Sequence, residues 1–122
     1  MLAIREVQYP EQGQFIQPTI GFATDSAVVP HGENAREFTY RVRLGESTAA
    51  AIVSATKTAA EIIGWSDRVG TIEAGKFADL IAVAGDPLKD ITELERVTFV
   101  LKAGTVYKDA SQKSEGRSPI AK

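Results

Sequence analysis

The chain has 122 residues, enough for one domain that buries roughly two thirds of its unfolded surface in a single core. It has no cysteine, which removes disulfides, cysteine-ligated zinc and thiol nucleophiles together and is compatible with a reducing, cytoplasmic setting. A formal net charge of -2, with both signs interspersed, offers no basic stripe to nucleic acid or anionic lipid, and no apolar run nears the roughly 18 residues of a membrane span.

Residues 1–18 hold Pro10, Gly13 and Pro18 without a sustained period and predict an irregular leader with one short strand at 4–9. Leu2 and Ile4 meet Arg5 and Glu6 too soon for a signal-peptide core. Residues 19–24 form a short apolar run between Pro18 and Asp25, the pattern of a strand buried on both faces. Pro30 and Gly32 then turn the chain past His31, its single histidine.

A helix is expected from Asn34, a good N-cap residue, to Leu44, with Gly45 as its stop. Ala35, Phe38 and Val42 share one side of it and Tyr40 and Leu44 the opposite side, so it should be covered from two directions. Glu37 and Arg41 stand in the favourable i, i+4 order of an ion pair. The next helix starts at a Ser47 or Thr48 cap, with Ile52, Ala55, Ala59, Ile62 and Ile63 in one stripe and Ser54, Lys57 and Glu61 on the other side. Thr56 allows a break inside it and Gly64 ends it.

After Trp65 the pattern changes to strand and turn. Residues 69–72 predict a strand, 73–76 a turn with Gly75 at the position needing positive φ, and 79–84 a second strand. Gly85, Asp86 and Pro87 break that strand, Ile91 and Leu94 share one helical turn, and 97–102 alternate as a half-buried strand. Ala103 and Gly104 turn the chain into a last strand at 105–107, and a polar tail follows, expected to be disordered over 109–122.

The stretches "GFATDSAVVPHGENAREF", "STAAAIVSATKTAAEIIG" and "DRVGTIEAGKFADLIAVAGDPLKDITELERVTFVLKAGTVYK" together resemble the carboxyl-terminal end of the metal-dependent amidohydrolases, in the branch related to imidazolonepropionase and the Xaa-Pro dipeptidases. The resemblance runs from about Thr19 to Lys108 and is carried most specifically by Thr24-Asp25, Pro30-His31-Gly32, Gly75-Lys76, Ala78-Asp79-Leu80 and Gly85-Asp86-Pro87-Leu88. It implies an α/β fold, α+β for the chain alone: residues 19–64 as the last strand and helices of a (β/α)8 barrel, and 65–108 as the carboxyl-terminal strands of a composite β-sandwich. It also implies hydrolysis of a C–N bond in a small amide or dipeptide, zinc or another divalent metal as cofactor, and a water activated by that metal.

By the same resemblance, Asp25 matches the aspartate that binds metal and takes the proton from the attacking water, and His31 lines the mouth of the pocket. Hydrolytic zinc sites draw on three or more protein ligands, and the family's other ligands come from strands that do not occur in this sequence. The chain is therefore expected to be inactive alone and to need either the remaining barrel portion or self-association into a homo-oligomer. The alternatives are a non-catalytic, self-associating α/β structural domain and a small-ligand-binding domain. Two features depart from the family pattern: Ala103 stands where Asp or Asn is usual before Gly104, which favours a type II turn, and residues 1–18 match nothing in the barrel.

Overall fold

The structure, a computed structural model, describes residues 19–25 and 32–110. The strand expected at 4–9, His31 and the tail beyond residue 110 lie outside those residues. Helices α1 (Arg36–Arg43), α2 (Thr48–Ala55) and α3 (Lys57–Ile62) are followed by β1 (Leu80–Ala82), a 3₁₀ turn (Ile91–Glu95), β2 (Phe99–Lys102) and β3 (Thr105–Asp109).

Helix α1 begins one residue later than an Asn34 cap predicts, and Asn34 does not cap it. Its N-cap is Ala35, without a side-chain bond. The first amides are satisfied by tight i to i+3 bonds, Arg36 N–H to Glu33 O, Glu37 N–H to Asn34 O and Phe38 N–H to Ala35 O, which leaves a polar cap nothing to accept. The other end matches the expectation. Gly45 has φ 102 and donates to Val42 O while Glu46 donates to Arg41 O, a Schellman stop that only a residue at ease with positive φ closes cheaply. Covering from two directions does not occur: Phe38 and Val42 are half-buried, but Tyr40 and Leu44 face solvent. Nor does Glu37 pair with Arg41, which turns instead to Glu46.

The long helical segment breaks at Thr56 (φ -118, ψ -90), as its composition allows, and Ser47 caps α2 by accepting from Ala50 N–H at 3.1 Å. The break rotates the buried face. Ala51 and Ala60 are fully packed and Ser54, expected on the solvated side, is buried with its hydroxyl on Ala51 O, while Ile63 of the expected stripe is exposed. The chain after α3 folds back against it so closely that a Cβ on Gly70 would lie 2.6 Å from the Ala60 methyl. That approach uses residues 69–72 as a bend, so the strand expected there does not form.

Residues 73–76 make the expected turn, with Gly75 at φ 91. Asp86 then accepts from Leu88 N–H, and Asp90 from Thr92 N–H, starting the 3₁₀ turn whose Ile91 is buried. The sheet is antiparallel in the order β1-β2-β3, with Leu80 opposite Leu101, Ala82 opposite Phe99 and Lys102 opposite Thr105. A bulge at Val100/Leu101 takes up the extra residue of β3, and β3 runs through Lys108 and Asp109, two positions beyond the expected strand and one into the expected tail.

Ala103 and Gly104 have φ 48 and 76. Both positive values belong to a type I′ turn, so the type II turn expected from Ala103 is corrected: a two-residue hairpin needs the I′ twist to match its strands. Asp79 offsets the strain. The register sets it beside the turn, where its Oδ1 accepts from Ala103 N–H at 2.6 Å and its Oδ2 from Lys102 Nζ at 3.2 Å.

Candidate active site

The segment 19–25 forms neither helix nor strand, and only Ile20 in it is paired, as a β-bridge. A strand buried on both faces needs strands beside it, and none of β1 to β3 lies there, so Ile20 and Thr19 are exposed while Gly21 is buried. What fixes the segment is a backbone hydrogen bond together with side-chain packing. Phe22 donates its N–H to Ser54 O of α2 at 3.1 Å, and its ring lies 4.3 Å from that of Phe38 in α1.

Arg41 completes this clamp. Its Nε and Nη2 reach Glu46 Oε2 and Oε1 at 2.6 and 3.3 Å, its Nη1 donates to Gly21 O at 3.4 Å, and its Cζ stands 5.9 Å from the centre of the Phe22 ring. The Schellman stop makes this possible, because it returns the chain at residue 46 beside the last turn of the helix. Periodicity within a helix looks three and four residues ahead and misses such an i, i+5 pair across its end.

The segment delivers Asp25 at its carboxyl end, exposed and with φ 47. Asp and Asn are the non-glycine residues that most readily adopt this left-handed conformation, and such positions cluster where function constrains the backbone. Phe22 is thus held against α1 and α2, with Thr24 and the exposed Asp25 following it in the chain, whereas Glu33 pairs with Arg36 at 2.7 Å beside Glu95 in a shallow polar depression at the start of α1. Glu37 is not part of either group. Among the described residues no three histidines or carboxylates converge as metal ligands.

Three carboxylates elsewhere are acidified, each by structural bonds. Asp79 is lowered by the Ala103 N–H and then by Lys102, Asp90 by Thr92, and Glu73 by the Thr71 hydroxyl and then by Lys76, whose Nζ also bonds the Thr71 hydroxyl. All three shape turns.

A segment ending in a left-handed carboxylate, two helices that hold its Phe22 and a small antiparallel sheet after them make an α/β arrangement that can be compared with known proteins. The amidohydrolase family profile matches residues 9–107, and the chain belongs to that family. The match takes in 9–18, which sequence reading left outside the resemblance. Among solved structures the chain is similar to a Xaa-Pro dipeptidase with methionine bound in its active site, at 46% identity and TM-score 0.70 over 72% of this chain and 22% of that one. It is also similar to a prolidase complexed with N-methylphosphonate-L-proline (36%, TM-score 0.60, 65% and 20%). An amidohydrolase from Thermotoga maritima MSB8 is similar at 29% identity and TM-score 0.59, over 70% and 21%. The chain spans about a fifth of the length of each. Comparison with curated proteins gives no match.

Proposed function

We propose that this chain carries the last barrel strand and helices (19–64) and the carboxyl-terminal sandwich strands (65–108) of a metal-dependent amidohydrolase acting on the C–N bond of a dipeptide or similar small amide. Asp25 is its working carboxylate, binding metal and holding the proton that the attacking water gives up. The observation that carries this is the exposed, left-handed Asp25 at the carboxyl end of its segment, the end at which barrel enzymes keep their chemistry. Prolidase-like relatives support a peptide-like substrate. His31 borders the pocket mouth in this reading.

Zinc or another divalent metal supplies, when bound, a Lewis acid that brings the pKa of water to about 7. A single carboxylate does not hold such an ion: catalytic sites use about three protein ligands, and the described residues bring no such set together. In this reading the chain alone is inactive, and its cofactor is held jointly with a barrel portion that bears other ligands. A cytoplasmic setting fits the cysteine-free sequence, and no helix among the described residues is long and apolar enough to cross a membrane.

A second reading, a non-catalytic self-associating domain, draws on the apolar side chains left in solvent, Leu44 and Ile72 foremost. Purified chain assayed for bound zinc and for dipeptide hydrolysis separates the two, with and without a separately supplied barrel portion. Metal uptake and turnover that appear only with the barrel portion and vanish with Asp25→Asn support the hydrolase. A stable oligomer, with neither metal nor turnover when that portion is present, supports the structural domain.

A further inference from the structure

We infer that Arg41 is a positioning residue for Asp25: its guanidinium, locked by Glu46, fixes the backbone at Gly21 and Phe22 and so sets how the segment presents the carboxylate. The inference rests on reading Asp25 as the working group. The Arg41 side chain is 11% exposed, and its guanidinium makes several contacts at once: two N–H groups on Glu46, a third on Gly21 O, and its Cζ 5.9 Å from the centre of the Phe22 ring. Arginine alone offers a flat fork with donors to spare for this set; lysine has one compact charge. A cation so enclosed needs its partner, which Glu46 supplies from beyond the helix stop.

The clamp has a second jaw. Phe22 N–H bonds Ser54 O of α2 while Arg41 holds the preceding carbonyl from α1, so the 21–22 peptide is gripped from two helices. Only Ala23 and Thr24 lie between this grip and Asp25. With a single bridge residue in the segment, sheet pairing does not supply the constraint. The left-handed turn at Asp25 follows a backbone whose direction these contacts set. A shift of about 1 Å at a reacting group costs on the order of a hundredfold in rate, which is why such a clamp matters for chemistry as well as for folding.

The test compares the whole chain with Arg41→Met, Arg41→Lys and Glu46→Gln by amide hydrogen exchange and NMR. In Arg41→Met the Phe22 amide should exchange about tenfold faster, while the Ala60 amide, bonded to Thr56 O in α3, keeps its rate. The short amide-to-Hα distance that marks a left-handed residue should be lost at Asp25. Glu46→Gln should show the same pattern more weakly, and it carries the comparison if Arg41→Met does not fold. Arg41→Lys should restore little, because the charge alone does not reproduce the fork. Unchanged exchange at Phe22, equal acceleration at Phe22 and Ala60, or an Asp25 that keeps its conformation in the variants would overturn the inference. Failure of the functional reading shows elsewhere, as zinc uptake in the presence of the barrel portion that is indifferent to Asp25→Asn.

Discussion

Two residues with left-handed backbones and no glycine, Asp25 and Ala103, carry different meanings. Ala103 is a cost of the hairpin, since alanine in this region loses about 1 to 2 kcal/mol relative to its preferred conformations. Ala103→Asn should therefore stabilise the chain by about 0.5 to 1 kcal/mol, read as a higher thermal midpoint, because asparagine tolerates φ > 0 and keeps the N–H that Asp79 accepts. Asp79 is the other half of that turn. Its folded-state pKa is depressed by the Ala103 N–H and Lys102, so its contribution is present above the unfolded value and is lost as pH falls through the folded one. Asp79→Ala should lower the thermal midpoint at neutral pH, and the gap to the parent should narrow as pH drops from about 5 toward about 3, since the parent then loses the same bonds. A gap constant across that range would show that the charge of Asp79 is immaterial to the hairpin.

At the scale of elements, what could be read in the sequence was what depends on one or two residues. Gly45 and Gly75 announced their turns, Ser47 its cap and Thr56 the break, because positive φ and side-chain capping are local chemistry. What depends on a neighbour was not legible. The stripe through Ile52, Ala59 and Ile63 assumed one continuous helix, and the change of direction at Thr56 moved burial to Ala51, Ser54 and Ala60. The apolar run at 69–72 has strand-like composition, yet Gly70 is needed where α3 comes close. Gly70→Ala tests that account, since the new methyl would meet the Ala60 side chain at 2.6 Å on a backbone with φ 98. A loss of about 2 to 4 kcal/mol follows from overpacking plus backbone strain, lowering the melting temperature by on the order of 10 °C or more. An unchanged midpoint would mean that the 65–70 segment does not pack on α3 in solution.

For the molecule as a whole, the family was legible through Thr24-Asp25 and the turn motifs that follow, whereas the clamp around Gly21 and Phe22 was not, because its partners lie 16 to 32 residues away in the chain. The same whole-chain view shows a thin core. The apolar side chains that are fully packed among the described residues are Ala51, Ala60 and Ile91, and two of these are alanines. Leu44 is 88% exposed, Ile72 90% and Tyr107 71%. At roughly 25 cal/mol per Å² of apolar surface removed from water, covering such a set is worth several kcal/mol, comparable with a small domain's net stability. The chain by itself should therefore bind a hydrophobic dye at neutral pH and sediment as a concentration-dependent mixture above the monomer mass. Replacing Leu44 and Ile72 by lysine should reduce both signals without lowering the melting temperature, because neither side chain is packed in the fold. A monomer that ignores the dye would indicate that these faces are covered within the chain. If the lysine variants melt earlier, Leu44 and Ile72 belong to the folding core and not to a docking surface.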